Sequence, residues 1–239
     1  MSELVTLLLL ASLAGAAIPV GGLLAYRERL MMGHFRMELL YFLVAFGGGV
    51  VLAAVALVLV PLGLEALNLL EAALAFIAGA LVFLAINRAI EMRGQMAGQS
   101  MNLVADYIPE SIALGAAFAA GGPLGPLLAF LIGTQNLPEG FNSYRELKEG
   151  GRMARRCLAI LGVMAIFGPI AALLGFLLLG GQPRIIGWMF LFAAGGILYT
   201  VFQDVAPMAK YEGHWLPALG AIAGFLLGMV GEVLITSLA

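Results

Sequence analysis

Two short motifs with the same residue order could bind a cation inside an otherwise apolar chain. "DYIPE" begins at Asp106 and "QNLPE" begins at Gln135, 29 residues later. In each motif an oxygen-bearing side chain lies four positions before a glutamate, Glu110 or Glu139, which places the two on one helix face about 6 Å apart along the axis. Each proline removes a helix hydrogen bond and frees a backbone carbonyl about one turn earlier. The motifs therefore predict carboxylate, amide and backbone oxygens at matching levels.

The elements that position these motifs are predicted to be membrane-spanning helices. Hydrophobic residues make up 62% of the 239 residues and charged residues 11%, whereas a soluble domain has about 25% charged residues. Apolar runs near the ~20 residues that a helix needs to cross a bilayer recur along the whole chain. We expect one all-α polytopic membrane domain, residues 1–239, with spans at about 3–25, 38–60, 70–88, 98–120, 124–145, 155–179, 185–208 and 215–236. The partner is a lipid bilayer, and nothing remains for a soluble or nucleic-acid-binding domain.

Basic residues define the expected orientation of these spans. Eleven of the 12 Lys and Arg residues fall in alternate loops, and Arg184 alone lies on the opposite side. By the positive-inside rule those alternate loops are cytoplasmic, so both termini are predicted outside. The localisation that follows is an integral protein of a cell membrane, with the prokaryotic inner membrane as our hypothesis.

Three spans at each end of the chain resemble one another at an offset of about 145–150 residues. "ALAFIAGALVF" from Ala73 is similar to "ALGAIAGFLLG" from Ala218, and spans 2 and 7 end at Pro61 and Pro207. Because spans 1 and 6 enter from opposite sides, the triplets would be inverted copies that flank spans 4 and 5. Inverted repeats with a binding site at their interface recur in transporters.

Few acids remain inside the predicted spans. A carboxylate near the bilayer centre costs at least ~2.5–3.5 kcal/mol, so it faces a cavity or a partner. No Lys or Arg is predicted at the same depth, which leaves protonation or a bound cation to offset the charge. These acids are Asp106, Glu110, Glu139, Asp204 and Glu232, of which we interpret Glu232 as a solvated helix end.

At these residues the chain resembles the ZIP (Zrt/Irt-like) family of divalent-metal transporters. "QNLPEG" at 135–140 matches the fifth-span pattern Gln-Asn-x-Pro-Glu-Gly, and "DYIPES" at 106–111 matches the fourth-span pattern His-Asn-x-Pro-Glu-Gly in part. The resemblance covers essentially the whole chain and implies eight spans in a 3+2+3 inverted-repeat bundle. It also implies a two-metal site in which the two glutamates bridge the ions. Carried over, the ligands are Asp106, Glu110, Gln135, Asn136, Glu139 and Asp204.

Departures from the family pattern bear on the transported ion. Asp106 and Tyr107 stand where the family has His and Asn, and Val58 stands where it has a second-span His. The histidines of the chain, His34 and His214, fall in predicted cytoplasmic loops. Zinc sites usually include His or Cys, whereas oxygen-only sites suit Mg²⁺, Ca²⁺ or Mn²⁺. Our interpretation is a transporter that moves Zn, Fe, Mn or another divalent ion toward the cytoplasm, with a site hardened away from zinc or holding one ion.

Other functions fit the same residues. The acids could carry protons or bind an organic cation, for which nearby aromatic residues such as Tyr107, Phe141 and Tyr199 would form a box. A ZIP-like scaffold that no longer transports is a further alternative. An aspartyl protease using Asp106 and Asp204 would need a Gly-x-Gly-Asp setting that neither has, so we expect no enzyme and no organic cofactor. The oligomeric state stays open, with a homodimer as one alternative.

Overall fold

A computed structural model describes residues 2–28, 35–92, 98–121, 124–179, 181–209 and 215–237. His34 and His214, and the basic residues Arg29, Arg93 and Lys210, lie outside this part of the chain. The described residues form eight long helices, as the apolar composition predicts. They are α1 (Glu3–Glu28), α2 (Phe35–Ala54, continued by Val55–Leu59 and Val60–Ala66), α3 (Leu69–Met92), α4 (Gly98–Ala120), α5 (Leu124–Glu149), α6 (Ala154–Leu179), α7 (Pro183–Thr200, continued by Val201–Val205 and Ala206–Met208) and α8 (Leu216–Ser237).

Prolines near the ends of α2 and α7 do not end these helices. In α2 the turn Val55–Leu59 is π-helical, and the next N–H, that of Val60, donates five residues back to the carbonyl of Val55. The turn Val201–Val205 of α7 has the same form. A proline has no N–H and its ring crowds the carbonyl four residues before it, and a single wide turn relieves this crowding without breaking the helix. α2 therefore continues past Pro61 to Ala66, beyond the residues 38–60 predicted for span 2.

Six of the eight helices are apolar enough to cross a membrane by length and composition, counted over the described residues. The other two are α4 and α5, which carry the two Pro-Glu motifs. Of the 26 residues in α5, 15 are buried. In their most apolar 18-residue stretches, α2 and α7 are 67% and 61% buried, whereas the corresponding stretches of α1, α3, α6 and α8 are only 22–33% buried. The polar helices therefore lie inside a shell of apolar ones.

The helices pack in corresponding pairs. α1 packs most extensively on α5 and α6 on α4, while α2 packs on α8 and α3 on α7; α1 also contacts α6, and α4 contacts α5. The contacts of the two halves correspond. If α1 is relabelled as α6, α2 as α7, α3 as α8 and α4 as α5, and the reverse, the same set of contacting pairs is obtained.

Close backbone contacts occupy corresponding places in two of these pairs. Gly49 of α2 meets the carbonyl of Ala221 on α8, and Gly195 of α7 meets the carbonyl of Phe76 on α3. The two glycines are 146 residues apart, and the two carbonyls are 145 apart. A side chain at either glycine would overlap a backbone oxygen, so the close approach requires glycine.

The ends of the bundle carry the charged contacts. Arg184 is the one basic residue predicted on the side opposite the other eleven. It forms an ion pair with Glu71, which joins the first turns of α7 and α3. At the opposite end α5 extends to Glu149, about one turn beyond the predicted span. Glu146 is thereby placed on a helix, where it accepts hydrogen bonds from the backbone N–H and hydroxyl of Ser100 at 3.0 and 3.2 Å. Because free N–H groups at a helix N-terminus favour negative charge, this contact fastens α5 to the start of α4.

Candidate metal-transport site

The two Pro-Glu motifs meet at the contact between α4 and α5. Gln135 Nε2 donates a hydrogen bond of 2.6 Å to Glu110 Oε2. Both side chains are almost fully buried, at 1% and 3% exposure. Since α4 and α5 run in opposite directions, this bond brings the first residue of one motif to the last residue of the other. The i, i+4 spacing predicted pairs within each helix, whereas this hydrogen bond joins the two helices.

The acids of α4, α5 and α7 lie close enough to repel one another. Asp106 interacts electrostatically with Glu110 and Asp204, and Glu139 interacts with Glu110 and Asp106. The sequence has no Lys or Arg between residues 94 and 144, the stretch that contains both motifs. Burying several carboxylates together without basic partners is costly unless a proton or a cation offsets the charge.

Thr200 of α7 reaches Asp106 and was not predicted from the sequence. Its hydroxyl oxygen lies 3.3 Å from Asp106 Oδ1 and 3.3 Å from the carbonyl oxygen of Gly196 one turn earlier on α7. The single hydroxyl proton can be donated to one of these acceptors at a time. Thr200 precedes Asp204 by four residues, and that spacing was the available signal.

Asn87 of α3 contacts Asp204 and was also missed. Asn87 Nδ2 donates to Asp204 Oδ2 at 3.1 Å, and the asparagine is 8% exposed. Asp204 lies within the π-helical turn Val201–Val205 of α7. The fourth residue of the matching turn in α2 is Val58, which is fully buried. An acid therefore stands in one π-helical turn and an apolar residue in the other.

Two buried amide oxygens have no hydrogen-bond partner among the described residues: Gln135 Oε1 and Asn136 Oδ1. Asn136 Nδ2 donates to the carbonyl of Ala14 on α1 at 2.9 Å. Asn136 thus lies on the α1 side of α5, about 100° around the helix from Gln135. An unpartnered buried acceptor is costly, and both oxygens are of the type that coordinates hard metal ions.

Tyr107 occupies the same place on α4 that Asn136 occupies on α5. Its hydroxyl donates to the carbonyl of Ala165 on α6 at 3.5 Å, and its ring packs against Gly168. The Ala165 carbonyl lies four residues before Pro169, so it lacks its usual helix donor. Tyr107 therefore packs between α4 and α6.

Within the described residues, no three His, Cys, Asp or Glu side chains converge closely enough to hold a metal ion by themselves. The other oxygen-bearing side chains nearby are the amides of Gln135 and Asn136 and the hydroxyl of Thr200. The α4–α5 contact contains Asp106, Glu110, Gln135 and Glu139. Asp204 of α7 interacts with Asp106 of this group, and Asn136 points toward α1.

Similarity to known proteins points in the same direction. No protein-family model matches the chain. Zinc transporter GufA from Myxococcus xanthus is 34% identical over 124 residues, which is 51% of this chain and 49% of GufA. Zinc transporter SLC39A7 from Pongo abelii is 31% identical over 150 residues, 58% of this chain and 32% of that protein; its Homo sapiens counterpart is 30% identical over the same length.

These homologues are zinc transporters of the ZIP family. The chain is a divergent relative of them, as its motifs predict. It spans about half the length of GufA and about a third of SLC39A7. Relatives that are transporters fit the expectation that this ZIP-like chain is not an enzyme. Val58 stands where the ZIP pattern has a second-span His, and its side chain is fully buried in the apolar core.

Proposed function

We propose that the protein transports a divalent metal cation toward the cytoplasm through the carboxylates and amides of α4, α5 and α7. The observation that carries this proposal is the 2.6 Å hydrogen bond between Gln135 and Glu110. It joins the two Pro-Glu motifs at a place where Asp106 and Glu139 add further negative charge. Polar groups buried together in this way inside apolar helices are typical of an ion pathway.

The proposed ligands are the six residues that the resemblance to the ZIP family implies. Glu110 and Glu139 would be central, because each interacts with other acids of the cluster. Mutual repulsion opposes convergence of the carboxylates, and a divalent cation would offset it. The unpartnered oxygen of Gln135 would complete its bonding by coordinating the ion. The full set is Asp106, Glu110, Gln135, Asn136, Glu139 and Asp204.

We propose further that all eight helices cross the membrane as a 3+2+3 inverted repeat. The exchange that leaves the helix contacts unchanged supports this arrangement, as do the two π-helical turns. The low hydropathy of α4 and α5 fits their enclosure by other helices. With the basic residues in alternate loops, both termini would lie outside a cell membrane, which we take to be a prokaryotic inner membrane.

For the ion, we propose Mn²⁺ or Fe²⁺ ahead of Zn²⁺. The names of the relatives favour zinc, but the donors of this site are all oxygens, which favour harder cations. We also propose that one ion is bound. Tyr107 stands where the family has an amide ligand, and its hydroxyl reaches the backbone of α6 instead.

An organic-cation substrate is less well supported by the geometry. The Tyr107 hydroxyl reaches the backbone of α6, and the ring of Tyr144 packs edge-on against Tyr26 at 6.4 Å. Phe202 is 66% exposed on the outer surface of α7. These three rings therefore do not form a box around the acids, which recognition of an organic cation would use.

Movement of the cation into the cell would be driven by the membrane potential, which contributes about 2.3 kcal/mol per charge per 100 mV. Glu146 and Glu149 lie beyond the site toward the proposed cytoplasmic end of α5. Since Glu146 is held by Ser100 at the start of α4, an ion that leaves past it would compete with that contact. We therefore place the cytoplasmic constriction at the Ser100–Glu146 contact.

The decisive variant is Glu139→Gln, read by metal binding and by flux in proteoliposomes. Replacing the carboxylate by an amide of the same shape should weaken Mn²⁺ binding at least tenfold and abolish uptake, because a ligand charge is lost. Glu149→Gln, an exposed position on the same helix, is the matched control and should behave like wild type. Unchanged binding and flux in Glu139→Gln would refute the proposal. Zinc uptake far above manganese and iron uptake would refute the hardened site alone.

A further inference from the structure

Asn87 lies outside both Pro-Glu motifs, yet it is hydrogen-bonded to an acid of the candidate site. We propose that Asn87 is a positioning residue that fixes the carboxylate of Asp204 and thereby sets the affinity of the site for a divalent cation. This inference rests on the proposed transport function. It assigns a role to α3, which contributes none of the predicted ligands.

The first argument is the rarity of polar groups on α3. From Leu69 to Ile86 the helix is apolar apart from Glu71, which is paired with Arg184 at the other end. Asn87 is 8% exposed and donates to Asp204 Oδ2 at 3.1 Å. An amide placed in an apolar helix is costly unless it is bonded. The acid of α7 provides that bond.

The second argument is the setting of Asp204. It lies in a π-helical turn at the border between buried and outward-facing residues, since its neighbours Phe202 and Gln203 are both exposed. A carboxylate at such a border can rotate toward the outside or toward the acids of α4. The Asn87 amide holds one of its oxygens on the α3 side and so restricts this rotation.

The third argument concerns charge. Asp204 interacts electrostatically with Asp106, and a basic residue in place of Asn87 would cancel part of the charge available to a cation. A neutral amide orients the carboxylate and leaves its charge intact. This is the behaviour expected of a residue that supports a ligand from outside the coordination sphere.

The fourth argument comes from the other half of the molecule. At the corresponding offset of 145–146 residues, α8 has Glu232 in place of Asn87 and α2 has Val58 in place of Asp204. The α2–α8 pair nevertheless packs as extensively as the α3–α7 pair. Packing of these helices therefore does not require an amide–carboxylate pair, and its presence in one half alone indicates a role in ion binding.

The test is Mn²⁺ binding to the purified full-length protein by titration calorimetry, with Zn²⁺ as the second probe. Asn87→Leu removes the donor at similar volume and should weaken Mn²⁺ binding about tenfold. Asn87→Gln keeps a donor and should recover most of the affinity. In an Asp204→Ala background, Asn87→Leu should have no further effect, because the group it positions is gone. Asn68→Ala is the matched control: Asn68 accepts from the Glu71 N–H at the far end of α3, so its loss should lower stability without changing affinity.

Wild-type affinity in Asn87→Leu, together with weakened binding in Asp204→Ala, would overturn the inference and leave the proposed function standing. An equal loss on adding Asn87→Leu to Asp204→Ala would also overturn it, since the residue would then act through general packing. If Glu139→Gln leaves Mn²⁺ binding unchanged, both proposals are overturned. If Asn87→Leu does not fold, Asn87→Ala removes the same donor without adding bulk beside the carboxylate, and the same outcomes apply.

Discussion

Neutral side chains hold three of the carboxylates in the candidate site. Gln135 donates to Glu110, Thr200 to Asp106 and Asn87 to Asp204. Amide and hydroxyl donors orient a carboxylate without cancelling its charge, so the proposed cation would be the group that offsets that charge. Arg or Lys at these places would form ion pairs that compete with a transported ion.

Thr200 provides a direct test of this arrangement. Thr200→Val keeps the shape of the side chain but removes the hydroxyl that lies 3.3 Å from Asp106. We expect about tenfold weaker Mn²⁺ binding by calorimetry, because Asp106 loses the donor that orients it, and we expect Thr200→Ser to restore it. Thr134→Val is the control, since Thr134 bonds the carbonyl of Phe130 on its own helix. Equal affinities in wild type and Thr200→Val would show that Asp106 is held by other contacts.

The Pro-Glu motifs can be found from the sequence alone, but the residues that hydrogen-bond to the acids of the site cannot. Motif residues repeat at a fixed local spacing, so one chain suffices to find them. Thr200 and Asn87 are single polar residues in apolar helices, and their partners lie 94 and 117 residues away. Such pairings depend on helix packing, which local spacing does not encode. The motif pattern also assigned the neighbouring residues Gln135 and Asn136 to one site. On a helix, however, consecutive side chains point about 100° apart.

At the scale of helices, the second residue of each motif fastens α4 or α5 to a neighbour. Tyr107 bonds the backbone of α6 and Asn136 bonds the backbone of α1. Both acceptors are small residues, Ala165 and Ala14, near the prolines of their helices. The substitution of a family Asn by Tyr107 is therefore accommodated by a longer side chain that reaches a carbonyl without its usual donor.

Tyr107→Phe should separate packing from transport. The ring stays in its groove between helices, but the Ala165 carbonyl loses its donor. We expect a loss of about 1 kcal/mol in stability, seen as a lower unfolding midpoint of the solubilised protein. Mn²⁺ affinity should change less than twofold, because the hydroxyl bonds the backbone of α6 and is not one of the proposed ligands. A large fall in affinity at unchanged stability would instead place Tyr107 in the ion pathway.

The glycine contacts test whether the two halves of the molecule are equivalent in packing. Gly49→Ala and Gly195→Ala each put a methyl group against a backbone carbonyl of the partner helix. We expect each to destabilise the protein by about 1–3 kcal/mol, by similar amounts. Gly162→Ala is the control, because a Cβ there has no neighbour within 4 Å. Thermal unfolding of the three variants makes the comparison, and a neutral Gly195→Ala beside a damaging Gly49→Ala would argue against equivalent halves.

For the molecule as a whole, composition predicts an all-helical membrane protein but leaves the number of crossings undecided. Six helices are identified by hydropathy, and the two that are missed are those that carry the proposed site. Their polar residues lower the hydropathy, while the surrounding helices shield them from lipid. If α4 and α5 cross the membrane as we propose, hydropathy alone misses them because they carry the polar residues of the proposed site.

The eight-span topology differs from a six-span one in the position of the turn between α4 and α5. If both helices cross, Ala120, the exposed last residue of α4, lies outside the cell. In a Cys157→Ser background, Ala120→Cys should then react with a membrane-impermeant maleimide on intact cells, as should Gln182→Cys. Arg155→Cys, at the basic end that we propose is cytoplasmic, should react only after permeabilisation. Protection of Ala120→Cys beside labelling of Gln182→Cys would mean that α4 and α5 enter and leave from the cytoplasmic side, and would contradict the eight-span proposal.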